Sequence, residues 1–175
     1  INVEHTATSV SFGVPSGLET GFGADDTSSE RNSTTHISVF DRWGNVASMT
    51  SSIEFAFGSA IMVRGFLLNN QLTDFAFNPI WKGETVANSV SPAKRPRSSM
   101  SPIIVFDPGG KPVLAVGSPG GSRIICYVAK VLVEILSWEG EINTAVERGN
   151  LCNRGTASEI ETGSSFVEME LGLTE

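Results

Sequence analysis

The sequence predicts an α+β fold in which antiparallel sheet is covered by helices. Segments with alternating apolar and polar residues, joined by short turns, recur between residues 34 and 116. A long apolar run follows them at residues 124–138. Hairpins that come first and helices that follow favour this class over a parallel α/β sheet.

Residues 1–33 differ in composition from the rest of the chain. They are rich in Gly, Ser, Thr and Asp, show little periodicity and end in DDTSSERNS. This composition predicts a loop-rich leader, followed by one domain over residues 34–175. The opening INVEHTATSV and the closing LGLTE, which resembles the first turn of a helix, suggest a piece of a longer polypeptide. We therefore expect the fold to be incomplete in this chain.

Two hairpins are predicted from alternation and turn chemistry. The first joins His36–Asp41 to Asn45–Ser51 around a Trp-Gly-Asn turn, and the second joins Ile103–Phe106 to Val113–Val116 through DPGGK. Residues 76–97 lie between them and contain three prolines, which predicts either a lid or a long surface connection.

Shorter elements complete the prediction. Residues 66–68 form a short apolar strand that leads into the polar segment NNQLTD. Residues 124–138 are long and apolar enough for a buried helix, residues 141–148 for a shorter one, and residues 165–169 alternate like a strand.

Composition limits the classes of function. The net charge is −7 and the twelve basic residues are scattered, which argues against nucleic acid as a partner. No stretch approaches the roughly twenty apolar residues of a membrane span. His5 and His36 show no ligand-like spacing, so we expect no metal and no cofactor. Cys126 and Cys152 permit one disulfide, but two buried free thiols are favoured.

Four segments carry the candidate chemistry: STTHISV at 33–39, NNQLTDF at 69–75, KRPRSSMSP at 94–102 and GSPGGSR at 117–123. Each has an ordinary structural explanation when it is considered alone, as a strand start, a polar turn, a cap or a tight connection. The last is not a phosphate loop, because it lacks the Lys-Ser/Thr pair of that motif.

Taken together and in this order, the four segments resemble the γ-glutamyltransferase family, a group of self-cleaving N-terminal-nucleophile hydrolases. The resemblance extends from about residue 34 to about residue 138 and implies an αββα fold of antiparallel sheets between helices. It also implies that residues 1–33 are the tail of a large subunit and that residues 34–175 are part of the small catalytic subunit.

The resemblance implies a role for each matching position. Thr34 corresponds to the nucleophile, freed by cleavage between Ser33 and Thr34, and Ser52 to a hydroxyl that hydrogen-bonds the nucleophile. Gly120 and Gly121 correspond to the backbone donors of the oxyanion hole. The substrate residues are Gln71, Asp74 and Glu54 for the α-amino group and Ser98 and Ser99 for the α-carboxylate of a γ-glutamyl donor.

Elementary chemistry supports these roles independently. A threonine hydroxyl needs a base, and a free α-amino group on the same residue can serve, with a reference pKa of about 7.7–8.0. That amine exists only after the Ser33–Thr34 bond is broken. A glutamyl group carries an ammonium and a carboxylate, so its site needs acceptors such as Asp74 and donors such as Ser98. With this amine as base, His36 is not expected to be catalytic.

Two departures from the family pattern keep alternatives open. Glu54 stands where many members have asparagine, which fits a γ-glutamyl donor but also an acylase acting on β-lactam side chains or poly-γ-glutamate. The family's arginine for the α-carboxylate lies in the large subunit, an expected partner outside this chain, so we expect the isolated chain to be inactive. A third hypothesis is a binding module that never cleaves. Acceptors implied by the resemblance are an amino acid, a peptide or water.

Overall fold

The computed structural model describes residues 34–153 and 158–161. Contacts divide the chain into two compact units, with a boundary between Val128 and Ala129. We call the described residues up to 128 the hairpin unit and those from 129 on the helical unit. The predicted leader and the predicted strand at residues 165–169 lie outside the described residues.

The first hairpin is the predicted one, formed by β1 (Thr34–Phe40) and β2 (Val46–Ser52) in antiparallel register. Its turn is held by Asp41, whose Oδ1 accepts hydrogen bonds from the backbone N–H groups of Trp43 and Asn45, both at 2.9 Å. An aspartate in this position stabilises a tight turn through its own side chain. The register places Thr34 directly opposite Ser52.

Two small hairpins follow that the sequence did not predict in full. They are β3 (Met62–Val63) with β4 (Phe66–Leu67), and β5 (Ile80–Trp81) with β6 (Glu84–Thr85). Each turn is a basic residue followed by glycine, and both residues have positive φ. Such a pair forms the mirror-image turn that matches strand twist. The predicted loop at residues 76–97 therefore contains one short hairpin but is otherwise irregular.

The second predicted hairpin, β7 (Ile103–Phe106) with β8 (Pro112–Val116), packs against the first. Backbone carbonyls of β8 accept hydrogen bonds from two serine hydroxyls of the first hairpin, Ser38 at 3.1 Å and Ser48 at 3.2 Å. The chain then passes through the glycine-rich segment into α1 (Ile124–Ser137). Buried apolar residues of the hairpin unit include Phe75, Ala76, Val86, Leu114, Ile124 and Val128.

The helical unit contains the rest of α1, then α2 (Ile142–Glu147) and the antiparallel pair β9 (Leu151–Asn153) and β10 (Ser158–Ile160). Its buried polar centre is Glu134, which forms an ion pair with Arg148 at 3.2 Å. Burial lowers the pKa of Lys130, which donates a hydrogen bond to the Arg148 carbonyl. Together these features describe an α+β chain built from antiparallel hairpins and helices. Among the described helices, none has the length and apolar character needed to cross a bilayer.

The bonding of the two cysteines differs from the sequence prediction. Both Cys126 and Cys152 are disulfide-bonded, so the expectation of two free thiols is wrong. The spacing of two cysteines along a sequence says nothing about the separation of their Cα atoms, and that separation decides whether they pair.

Gly58 offers a test of the packing between the β3–β4 hairpin and the turn before it. A Cβ at Gly58 would lie 2.1 Å from the Leu68 carbonyl oxygen, and φ is +52°. We expect Gly58→Ala to lower the free energy of unfolding by about 2–4 kcal/mol, measured by urea denaturation of the full chain. Gly65→Ala is the matched control, because its φ is +86° but no heavy atom lies within 4 Å. Gly65→Ala should lower the free energy of unfolding by only about 1 kcal/mol. Equal losses would show that the close contact is unimportant.

Candidate active site

One open pocket of the hairpin unit collects residues from all four sequence segments singled out above. Its lining consists of Thr34, Ser52, Glu54, Gln71, Asp74, Arg97, Ser98, Ser99, Met100, Gly121 and Ile124. Eight of these are site residues predicted from the sequence. The ninth, Gly120, is the neighbour of a lining residue, whereas Ser33 lies outside the described residues.

Thr34 is the first residue of β1, and the hairpin register fixes its surroundings. Its cross-strand partner is Ser52, the last residue of β2. Residues directly opposite in an antiparallel pair have neighbouring side chains on the same face of the sheet. The Ser52 hydroxyl oxygen also accepts a hydrogen bond from the Glu54 backbone N–H at 2.9 Å, which ties the end of β2 to the residue that follows.

Glu54 has an unusual backbone for a residue with a side chain. Its φ is +74° and it is 8% exposed, so a buried carboxylate stands at a left-handed position. The bend is held on both sides by Asn70, whose N–H donates to the Ile53 carbonyl at 3.2 Å and whose Oδ1 accepts from the Phe55 N–H at 3.0 Å. A strained residue fixed by its neighbours is typical of functional sites.

A short 3₁₀ helix, Gln71–Asp74, brings an amide and a second carboxylate into the same pocket. The Gln71 Nε2 group donates to an Asp74 carboxylate oxygen and lies 3.5 Å from Oε2 of Glu54. One amide therefore lies between two acidic side chains. Two carboxylates beside a pocket create a negative potential that attracts a cation such as an ammonium group.

Asn88 connects this acidic part of the pocket to the serine segment, and the sequence analysis missed it. Its side-chain amide donates to the Asp74 carbonyl at 2.6 Å, while its Oδ1 accepts from the Arg97 N–H at 2.9 Å. The residue is 8% exposed. Since no motif surrounds it, no sequence signal could have identified it.

The serine segment contributes hydroxyl donors and a cation. The pocket lining includes Ser98, Ser99 and Arg97. The Ser98 hydroxyl oxygen accepts a hydrogen bond from the Met100 N–H at 3.3 Å. Arg97 is half-buried and is the positively charged member of this lining. The pocket thus presents negative charge at one part and hydrogen-bond donors with positive charge at another.

The glycine-rich segment approaches the pocket at the start of α1. Gly120 has φ +135° and Gly121 has φ +59°, both in the region that favours glycine. A Cβ at Gly120 would lie 2.9 Å from a Tyr127 ring atom, so this position also lacks room for a side chain. Gly121 begins a 3₁₀ turn that continues into α1, whose N-terminus favours negative charge.

His36 lies near this site but is not among the residues that line the pocket. Its Nδ1 is 2.8 Å from the Thr50 hydroxyl and its Nε2 is 2.9 Å from the Ser38 hydroxyl. Burial lowers the pKa of the ring, which keeps it neutral at neutral pH. Within the described residues, no group of three or more His, Cys, Asp or Glu is arranged to hold a metal.

Comparisons with known proteins relate the chain to a family. The family model "Gamma-glutamyltranspeptidase" matches residues 2–172. A glutathione hydrolase proenzyme of Bacillus subtilis (strain 168) is 46% identical over 127 residues, covering 71% of this chain and 21% of the relative. One from Escherichia coli (strain K12) is 37% identical over 155 residues, covering 83% and 26%. A crystal structure of Helicobacter pylori γ-glutamyltranspeptidase matches with a TM-score of 0.64 and 38% identity, covering 79% of this chain and 81% of that one.

This chain, with its antiparallel hairpins and helices, is therefore a member of a family that includes glutathione hydrolase proenzymes. It belongs to the γ-glutamyltranspeptidase family. The chain spans between a fifth and about a quarter of the length of these two curated relatives, 21% and 26%.

Proposed function

We propose that the complete protein is a self-processing γ-glutamyl hydrolase or transferase that acts on glutathione-like donors through Thr34. The observation that carries the proposal is the set of residues that line one pocket. A threonine at a strand start shares it with two carboxylates, a serine pair with an arginine, and a glycine that precedes a helix. The names of the relatives, glutathione hydrolase and γ-glutamyltranspeptidase, support the same reaction.

Maturation and turnover use the same hydroxyl in this proposal. The Thr34 hydroxyl attacks the Ser33 carbonyl carbon, and the acyl group moves from nitrogen to oxygen, so that an ester to Ser33 replaces the peptide bond. Water then hydrolyses this ester, which releases the Ser33 carboxylate and leaves Thr34 with a free hydroxyl and a free α-amine. In each later cycle that amine takes the hydroxyl proton while the oxygen attacks the γ-carbonyl of the donor. The proton then passes to the leaving amine, and an ester joins the γ-glutamyl group to Thr34. Water, an amino acid or a peptide attacks this ester and restores the hydroxyl.

The remaining pocket residues supply recognition and stabilisation of the transition state. Asp74, Gln71 and Glu54 accept hydrogen bonds from the donor's ammonium, and Ser98 and Ser99 donate to its α-carboxylate. The backbone N–H groups of Gly120 and Gly121 stabilise the oxyanion, and the Ser52 hydroxyl hydrogen-bonds that of Thr34. One such oxyanion donor is typically worth about 3 kcal/mol of barrier.

The proposal extends to the organisation of the whole protein. Residues 1–33 are the tail of a large subunit, residues 34–175 are part of the small catalytic subunit, and the finished fold is an αββα sandwich. The large subunit of the same precursor is the expected partner and completes the α-carboxylate site. We therefore propose that the isolated chain is inactive or nearly so.

Glu54, which stands where many family members have asparagine, keeps one alternative open: an acylase of the same chemistry with a different acyl group. A buried carboxylate at this position strengthens binding of an ammonium, but it disfavours donors that lack one. The two functions therefore differ in whether the enzyme requires an α-amino group on its donor.

The test compares two chromogenic anilides in the complete protein, γ-glutamyl anilide and glutaryl anilide, which lacks the α-amino group. We expect kcat/KM to favour the γ-glutamyl compound by about 100-fold or more, since the acceptors for the ammonium would otherwise remain unpaired. A preference for the glutaryl compound would support the acylase instead. A chain that remains uncut by intact-mass measurement and hydrolyses neither anilide would support a binding module.

A further inference from the structure

We propose that His36 is a positioning residue that sets residues 117–121, here called the glycine loop, against the strand that carries Thr34. The inference rests on the proposed function, because the loop ends at the two glycines proposed to hold the oxyanion. It assigns His36 no proton transfer. The imidazole acts as a spacer of fixed size and fixed orientation between β1 and the loop.

A chain of hydrogen bonds fixes the orientation of the ring. The Ser38 hydroxyl donates to the Ala115 carbonyl in β8 at 3.1 Å, so its oxygen is left to accept from His36 Nε2–H at 2.9 Å. With the proton on Nε2, the neutral ring accepts at Nδ1 from the Thr50 hydroxyl at 2.8 Å. This chain of hydrogen bonds therefore runs from β2 through β1 to β8, and each of the two hydroxyl groups donates one hydrogen bond. Burial lowers the pKa of His36 and so favours the neutral form that this pattern needs.

The ring lies directly against the first residue of the glycine loop. A Cβ built on Gly117 would be 2.2 Å from His36 Cε1, 2.3 Å from Nδ1 and 2.8 Å from Nε2. All three distances are far below van der Waals contact, and the ring cannot turn away without losing both of its hydrogen bonds. Gly117 does not have the positive φ found at Gly120, so a close approach and not backbone conformation requires glycine here.

The same contact relates the two catalytic components of the proposed mechanism. His36 and Thr34 are two residues apart in β1, on the same face of the strand. On the other side of the ring, Gly117 lies three and four residues before the proposed oxyanion donors. Donors stabilise an oxyanion only within about 2.7–3.1 Å of it, so a displacement of about 1 Å in the loop would weaken catalysis.

The test is a double-mutant cycle on His36 and Gly117 in the complete protein. Gly117→Ala should lower kcat for γ-glutamyl anilide about 10–100-fold with KM changed less than about threefold, since oxyanion donors act in the transition state. His36→Ala should also lower kcat. The double variant should lose clearly less than the product of the two single losses, because removal of the ring makes room for the new methyl group. All kcat values are expressed per cleaved chain, counted by intact mass.

Gly109→Ala is the matched control. Gly109 also lacks a positive φ, and a Cβ there would approach only an Asp107 side-chain oxygen at 3.2 Å, in the turn of the β7–β8 hairpin. Its kcat should equal that of the unchanged protein.

Three outcomes would overturn the proposal: an unchanged kcat in Gly117→Ala, losses that multiply independently in the double variant, or an effect confined to KM. If Gly117→Ala fails to fold, circular dichroism of the double variant decides, because a contact with His36 predicts that the fold returns. Failure of the proposed function is a separate result. It would show as activity that survives Thr34→Ala, whatever happens at His36 and Gly117.

Discussion

Thr34→Ala in the complete protein is expected to stop both cleavage of the chain and turnover of γ-glutamyl anilide. The change removes the hydroxyl that attacks the Ser33 carbonyl and later the donor, and no other hydroxyl residue of the described pocket would carry a free α-amine to serve as its base. We expect intact mass to show an uncut chain and kcat/KM to fall by at least about 10⁴-fold, the scale seen when a nucleophile is deleted. No larger effect on activity is expected from any substitution in this pocket.

Two further variants distinguish the role of the Thr34 hydroxyl from general effects of a substitution in β1. Thr34→Ser keeps a hydroxyl and an α-amine, so it should cleave itself and retain measurable activity. Thr35→Ala changes the next residue of β1, which points to the exposed face opposite the pocket, and should behave as the unchanged protein. Full activity in Thr34→Ala, or equal losses in Thr34→Ala and Thr35→Ala, would rule out Thr34 as the nucleophile.

The parts of the fold that the sequence predicted are those with strong local signals. The β1–β2 and β7–β8 hairpins combine alternation with clear turn chemistry, and α1 is a long apolar run. The β3–β4 and β5–β6 hairpins have strands of two residues, too short for any alternation to show. Their turns, Arg64-Gly65 and Lys82-Gly83, did carry a signal, since both residues adopt positive φ. A basic residue before glycine is simply a weaker indicator than Asn-Gly.

The residues of the candidate site also differ in how far the sequence could predict them. Residues within compact motifs, such as Gln71 with Asp74 and Ser98 with Ser99, lie together because a single turn places them. Asn88 and the Gly117 contact with His36 depend on chain segments that meet only in the folded protein. The bonded state of the cysteines likewise could not be inferred from their spacing in the sequence. Local motifs, together with the family resemblance they carry, predicted residues that line the pocket, whereas the tertiary contacts that hold these residues in place left no trace in the sequence.

Asp74→Asn is the second substitution with a large expected effect, and it acts on recognition. The change keeps the size of the side chain but removes a negative charge from the pocket and replaces one acceptor oxygen by a donor. The ammonium of the donor then loses an ionic partner. Because Asp74 is half-buried, we expect kcat/KM for γ-glutamyl anilide to fall about 10–100-fold, or about 1.4–2.7 kcal/mol.

The loss should fall on KM with kcat little changed, since the ammonium is bound equally before and during the reaction. This separates Asp74 from the His36 and Gly117 pair, whose effect is expected in kcat. Glutaryl anilide is the internal control, because it has no ammonium and should react with Asp74→Asn at least as fast as with the unchanged protein.

A loss of equal size on both anilides would mean that Asp74 supports the structure of the pocket and does not bind the ammonium. Its side chain does accept a hydrogen bond from Gln71, so that outcome has a physical basis. Gln71→Ala distinguishes the two roles. It removes the contact while leaving both carboxylates of the pocket in place, so the charge that attracts the ammonium remains. If Asp74 acts through charge, Gln71→Ala should raise KM for γ-glutamyl anilide less than Asp74→Asn does, and the preference over glutaryl anilide should persist.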